Sequence, residues 1–427
     1  MIPSARPSRR SLLQLGALGL GAAGALGGLS RSARASTSGE RRFLFVFCRG
    51  GWDPACVLAP QFGTDAVDVE PDASPATSGG LDWVDHPERP SVRRWFEQHH
   101  ARAAIVRGFE VQSVSHERCA KLLMTGRPDE GRDDWGAMLA AASAEARALP
   151  YLVLGGPSFT ALHADQVVRS GSNGQLAALL DGGAITLQSD RPALLPTVAG
   201  DRLADAFVRN RAAALEATGR SLLNRDLARR YGQALDRIDL LSASGLDLSQ
   251  PPGGGDRWST FSTALDALEA GASRCVAVEY DGLWSQTWDT HSAGHMQSYH
   301  WEELFQYLLR LSDELGRRPG LLEDRLQDEV TVVVYSEMGR GPRLNSTAGK
   351  DHFTYTSALL FGGGIAGGRI VGGYTDTGFG RPTDVRTGGA GDTPLLAAHL
   401  GATLLTLGDI DPLSVGIESP AIEALLA

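Results

Sequence analysis

The sequence predicts an α/β fold built around a mostly parallel central sheet, and three observations predict it. From Arg41 onward, short apolar runs alternate with helix-period stretches, the pattern of strands joined by crossover helices. The 427 residues are 42% apolar, enough to bury one large core or two modest ones. Acidic and histidine-bearing clusters follow directly on several of the apolar runs, and the space beyond strand carboxyl ends is where open parallel sheets bind ligands.

The first 35 residues read as an export signal and not as a fold element. Arg6, Arg9, Arg10, Arg31 and Arg34 flank a glycine-interrupted apolar stretch from Leu12 to Leu29, with no acidic residue. Ser8 to Gln14 (SRRSLLQ) resembles the twin-arginine motif, and Ala33-Arg34-Ala35 ends a cleavage site of the A-x-A type, so the mature chain is expected to begin at Ser36. A periplasmic or secreted location, the twin-arginine export machinery as a partner, and no stable membrane span after cleavage are the corresponding expectations. That route carries chains that fold before export, often with a bound ion.

The expected strands are Phe43 to Phe47, Ala103 to Val106, Tyr151 to Leu154, Cys275 to Tyr280, Val330 to Tyr335 and Ala358 to Phe361. Between the third and fourth of these, an Ala/Leu/Arg-rich region predicts a helical insert over about 201–245. Ser244 to Arg257 (SGLDLSQPPGGGDR) then reads as a loop. Residues 36–427 are taken as one domain.

Charge and cysteine content exclude several classes. With 40 Lys plus Arg against 50 Asp plus Glu, the formal charge is −10, which argues against a nucleic-acid partner held by counterion release. Loss of the leader's arginines makes the mature chain more acidic still, so an anionic substrate would need a local group of cations. Cys48, Cys56, Cys119 and Cys275 are widely spaced without a CxxC pair, which fits buried free thiols better than a zinc ribbon. No GxGxxG follows a strand, so nothing points to a nucleotide cofactor.

The polar groups at strand ends supply the chemistry. FLFVF leads into CRGGWD, which puts Asp53 beyond a Gly50-Gly51 turn, as a metal ligand or an N-cap. WDTH presents Asp289 and His291, whose i, i+2 spacing in extended chain sends both to one side, as suits Zn²⁺, Mn²⁺ or Fe²⁺. His295 and His300 nearby are further candidates, with exposed surface histidines as the alternative. EVTVVVYSEMGR places Ser336 and Glu337 after a strongly strand-forming run, where a buried Glu must be paired or coordinated; a salt bridge to Arg340 or Arg343 is the structural alternative. GKDHF adds Asp351 and His352, with Lys350 as solvated surface or as an anion contact. Asp53, Asp289, His291, Glu337, Asp351 and His352 are thus the metal-site candidates, for a divalent ion such as Zn, Mn, Mg or Ca.

His116 to Arg127 (HERCAKLLMTGR) resembles the sulfatase signature C-x-P-S-R-A-A-L-L-T-G-R, whose nucleophile opens a helix ending in Thr-Gly-Arg. Nine residues before Thr125 the position is held by His116; a one-residue slip puts Ser115 there. Ser115 and His116 are therefore the catalytic candidates, at a helix N-terminus that favours an oxyanion. An amphipathic helix capped by Ser115 is the structural alternative.

With the twin-arginine leader, FLFVFCRGGWD, SHERCAKLLMTGR, WDTH, VVVYSEMGR and KDHF in that order, the chain resembles the bacterial DUF1501 family over nearly all of its mature length. That resemblance implies a three-layer alkaline-phosphatase-like fold with a metal site at the carboxyl edge of the sheet, in the superfamily of alkaline phosphatases and sulfatases. Phe353 stands where the family usually has Gly, and Met338 replaces its usual Phe. The expectation is an exported metal-dependent hydrolase acting on a phosphate or sulfate ester of a small molecule or polymer. The alternative is a non-catalytic exported binding or assembly protein that retains the fold.

Overall fold

A computed structural model describes residues 40–129, 131–170, 198–244, 246 and 257–427. The leader expected over 1–35, and most of the loop expected after Ser244, lie outside the described residues. In chain order the strands are β1 (Arg42–Cys48), β2 (Ser74–Ser78), β3 (Leu81–Asp85), β4 (Ala103–Glu110), β5 (Tyr151–Val153), β6 (Val167–Arg169), β7 (Cys275–Tyr280), β8 (Val330–Tyr335), β9 (Gly339–Leu344), β10 (Lys350–Phe353), β11 (Tyr355–Gly362) and β12 (Arg369–Gly372). The helices are α1 (Pro90–His99), α2 (His116–Thr125), α3 (Trp135–Ala141), α4 (Val198–Thr218), α5 (Leu222–Ser244), α6 (Trp258–Glu269), α7 (Met296–Arg317), α8 (Leu326–Glu329) and α9 (Ala397–Leu407).

An eight-stranded sheet in the order β12-β4-β11-β8-β1-β7-β5-β6 forms the middle layer. β1 alternates Phe43, Phe45 and Phe47 on one face with Leu44, Val46 and Cys48 on the other, so both faces must be covered. The phenylalanine face packs with α2, α3 and α9 through Leu123, Leu139 and Leu404. The opposite face packs with α1, α6 and α7 through Trp95, Leu265 and Leu308. The fold is therefore a three-layer α/β sandwich; each fully buried large side chain of the two cores contributes roughly 1.5–3 kcal/mol.

All paired strands of this sheet run parallel except β11, which is antiparallel to both β4 and β8. The reason is local. After β8 the chain makes the β9–β10 hairpin and re-enters the sheet from the edge it has just left, with no crossover helix to turn it around. The ends of β1, β4, β7 and β8 and the start of β11 thus lie at one edge.

Two long helices, α4 and α5, occupy the segment between Val198 and Ser244. Arg230 and Arg237 of α5 tie it to the Asp165-Gln166 turn that precedes β6. The four cysteines are buried and free. Among the described residues, no helix is long and apolar enough to cross a membrane.

A histidine and carboxylate cluster at the sheet edge

The loop after β1 sets the geometry. Gly50 has φ +121°, and a Cβ there would lie 2.6 Å from the Asp289 backbone nitrogen, so only glycine lets the two loops approach this closely. Its amide donates to Glu337 at 2.9 Å, and the Gly51 amide donates to Ser336 Oγ at 3.0 Å, joining the ends of β1 and β8. Beneath them Trp52 stacks on Trp301 with ring centroids 4.6 Å apart, and Trp288 meets Trp301 edge-on at 5.0 Å. Each tryptophan of the W-D pairs is thereby buried, which fixes the carboxylate that follows it.

Arg340, fully buried, knits the same loops together. Its guanidinium donates to the carbonyls of Gly50, Gly51 and Trp288 and to the Asp289 carboxylate at 2.7 Å. The salt bridge from Arg340 or Arg343 to Glu337, the structural alternative for that carboxylate, does not form. Arg340 points to Asp289 instead, and Arg343 pairs with Asp68.

At the opening of α2, His116 directs Nδ1 to Glu337 Oε1 at 2.7 Å and Nε2 to Asp289 Oδ2 at 3.3 Å. His352, on β10, has Nδ1 at 2.8 Å from the Val114 carbonyl and Nε2 at 3.1 Å from Asp289 Oδ1. A bulge between Lys350 and His352 re-aims this strand toward the cluster. His291 Nε2 lies 3.1 Å from Asp289 Oδ1 and 2.9 Å from His352 Nε2, and its Nδ1 faces Asp351 at 3.4 Å. Asn345 holds Asp351 and the His291 carbonyl.

These contacts dictate protonation. A carbonyl can only accept, so His352 carries its proton on Nδ1 and turns an Nε2 lone pair inward. Glu337 accepts from His116 Nδ1 and likewise leaves Nε2 as a lone pair; that buried atom has no hydrogen-bond partner. The Glu337 hydrogen bond, outweighing partial burial, raises the pKa of His116. Partial burial opposes ionisation of Asp289, but the hydrogen bond and charge of Arg340 overcome it and hold its pKa down at about 2. A carboxylate and converging imidazole lone pairs therefore face one point.

The ligating atoms of His116, Asp289 and His352 all lie within 4.8 Å of one another, an arrangement able to hold a metal ion. His116 Nε2 lies 3.3 Å from Asp289 Oδ2 and His352 Nε2 lies 3.1 Å from Asp289 Oδ1, so the two rings approach the carboxylate through different oxygens. The orphaned His116 nitrogen and the donor set fit such an ion.

The other expected residues fall into distinct places. Asp53 is engaged elsewhere: its carboxylate caps the next turn through the Ala55 amide and pairs with Lys350 Nζ at 2.7 Å. Lys350 is buried and not solvated surface. Burial works to lower its pKa, and the charge of Asp53 raises it above the ordinary value. Glu337 stands behind His116, on its Nδ1 side. His295 is exposed, whereas His300 is fully buried and accepts from the Leu283 amide. Ser115 occupies the N-cap of α2 with an exposed side chain that makes no capping bond. Nothing in the sequence pattern announces the Val114 carbonyl or pairs Arg340 with Asp289. The repeated W-D dipeptide was the available signal for the buried aromatic support.

Beside His116 opens a cleft of about 1010 Å³, bordered by α2, by Arg49 after β1 and by the Gly155-Gly156 turn after β5.

Fold and edge cluster together define an α/β protein with a candidate mononuclear His/Asp/His centre at the carboxyl edge of its sheet. A family model described as "Protein of unknown function (DUF1501)" matches residues 263–387, a span that includes Asp289, His291, Glu337, Asp351 and His352. The search of curated proteins finds no match. Among solved structures, the PsFucS1 sulfatase from Pseudoalteromonas sp. aligns at 11% identity and TM-score 0.40, over 91% of this chain and 72% of that one. Ps i-CgsB in complex with k-i-k-neocarrahexaose aligns at 10% identity and TM-score 0.39, over 89% and 75%. BT4656 in complex with D-Glucosamine-2-N, 6-O-disulfate aligns at 10% identity and TM-score 0.34, over 90% and 79%.

Proposed function

We propose that the protein is an exported metal-dependent hydrolase of phosphate or sulfate esters. One observation carries the proposal: the Nε2 lone pairs of His116 and His352 converge on an ionised Asp289, with their outer nitrogens already committed to Glu337 and the Val114 carbonyl. Outer partners of this kind fix ligand tautomers in metal sites. In this reading His116, Asp289 and His352 hold the ion, and His291 is the available fourth ligand. Glu337 and Arg340 position His116 and Asp289, and Asp53 supports the site through Lys350. The imidazole-rich donor set suits Zn²⁺, Mn²⁺ or Fe²⁺ better than Mg²⁺ or Ca²⁺. A bound divalent ion supplies Lewis-acid polarisation of the ester oxygen and a water of lowered pKa. The N-terminal amides of α2, with the Ser115 hydroxyl beside them, face the developing negative charge.

A second reading, an exported binding protein without turnover, has its own support. His116 Nδ1 is committed to Glu337 and its Nε2 faces the Asp289 carboxylate, so the residue in strict nucleophile register is placed as a ligand and not as a nucleophile, and the Ser115 side chain makes no capping bond. Metal analysis of the purified protein, followed by assays on aryl phosphate, phosphodiester and aryl sulfate with added Mn²⁺ or Zn²⁺, separates the two. The hydrolase reading expects bound metal and metal-stimulated turnover, both falling to background in Asp289→Ala. Bound metal without turnover on any ester favours the binding protein, and no bound metal sinks the hydrolase reading.

A further inference from the structure

The cleft beside His116 is far larger than one ester group requires, and at about 1010 Å³ it reaches the upper end of volumes that enclose whole small ligands. Its walls set four cationic side chains among three carboxylates, on a chain whose net charge is −10. Arg49 stands at the end of β1, Arg118 and Lys121 project from the first turns of α2, and Arg169 ends β6. Arg169 is held in place by the Gly156 carbonyl and Ser158 Oγ, each at 2.7 Å. Lys121 lies 5.6 Å over the Phe159 ring.

Of three carboxylates in the lining, Glu337 is committed to the Gly50 amide and His116, and Glu117 and Glu279 are set among these cations, with Arg49 3.9 Å from Glu279. The mixture discriminates. A backbone charged at every unit, as in polyphosphate or nucleic acid, would press negative groups against Glu117 and Glu279. A chain that spaces its anionic groups among hydroxyls meets the arginines with charge and the carboxylates with O–H donors. The turn at Gly155-Gly156 adds main-chain groups beside Glu279, which accepts from the Gly156 amide at 3.0 Å.

We propose that this cleft binds an acidic oligosaccharide bearing sulfate or phosphate groups, with Arg49, Arg118, Lys121 and Arg169 holding anionic groups other than the one delivered to the cluster. Only the fate of that last group rests on the hydrolase reading; binding along the cleft does not.

The test measures binding to the folded full chain by calorimetry, with a chondroitin sulfate hexasaccharide, neutral maltohexaose, and polyphosphate or single-stranded RNA of matched length. The hexasaccharide is expected to bind with a salt-dependent affinity, maltohexaose not to bind detectably, and the uniformly charged polymers to bind more weakly. Arg49 and Arg118 are exposed, and the double variant Arg49→Ala/Arg118→Ala is expected to keep its melting temperature and lose about ten-fold or more in affinity for the hexasaccharide. Glu117→Gln should narrow the gap between hexasaccharide and polyphosphate. Tighter binding of polyphosphate or RNA by the wild type, equal binding of maltohexaose, or an unaltered affinity in the arginine double variant overturns the proposal. Binding of the hexasaccharide by the wild type without any turnover would sink the hydrolase reading and leave the cleft assignment standing.

Discussion

Two carboxylates, Asp53 and Asp289, each follow a buried tryptophan, and both are credible metal ligands on sequence. Asp53 lies against the Lys350 ammonium at 2.7 Å, whereas Asp289 lies against His116, His291 and His352. The difference is in the neighbours' protons. An ammonium brings only donors and completes the carboxylate by itself. Imidazoles locked by outer acceptors bring lone pairs, which an anion cannot satisfy and a cation can. A carboxylate marks a metal site only when its neighbours also lack something to accept from them.

The largest effect should come from breaking the completed pair. Asp53→Ala leaves the buried Lys350 ammonium with the Asp68 carbonyl but no counter-charge against it, and removal of one partner of a buried ion pair costs about 3–5 kcal/mol. Denaturant unfolding is expected to show that loss, while the metal content per folded chain stays at the wild-type level. Asp289→Ala should behave in the opposite way, keeping most of its stability because Arg340 retains carbonyl acceptors, and losing the metal. If Asp53→Ala also empties the site, the two carboxylates belong to one centre and the contrast fails.

A buried imidazole without any carboxylate sharpens the comparison. His300 sits against Trp288, with ring centroids 5.2 Å apart, and burial lowers its pKa from 6.5 to about 4. A group whose folded pKa is depressed gives stability that is present above its unfolded value and lost as pH falls through the folded one. Between pH 6.5 and about 4 this histidine should therefore withdraw about 3 kcal/mol of folding stability. His300→Gln keeps an acceptor for the Leu283 amide and removes the titration. Denaturant unfolding across that window should be less pH-dependent in the variant; parallel curves for the two proteins would show that the folded-state pKa of His300 is not depressed.

How far the sequence reveals this molecule differs between backbone and side chains. β1, β7 and β8 are legible because continuous apolar runs are what a strand covered on both faces requires. β11 is legible as a strand but not in direction, because its reversal depends on the β9–β10 hairpin, whose Gly339-to-Leu344 half carries no apolar alternation. The short β6 and β12 escape for the same reason. Asp289, His291 and His352 stand out as D-x-H and D-H pairs, and the structure brings them together. The commitment of Asp53 to Lys350 was not legible, because a bulge on a remote hairpin delivers that lysine. Nor was the Val114 carbonyl, which has no side-chain letter to announce it.

The finest cut through the comparison is Glu337→Gln. The glutamine keeps the shape, and its carbonyl oxygen accepts from either the Gly50 amide or His116 Nδ1, but the full negative charge behind His116 is gone. If Glu337 serves only to join the ends of β1 and β8, stability changes slightly and metal affinity not at all. If it positions and polarises His116, the ring becomes a poorer ligand, and loss of such an outer partner weakens metal binding by about 10–100-fold. Competition with a chelator of known affinity measures this directly at a pH where Asp289 stays ionised. An affinity equal to that of the wild type would reduce Glu337 to a backbone acceptor and leave the orphaned His116 nitrogen, by itself, as the mark of the ion.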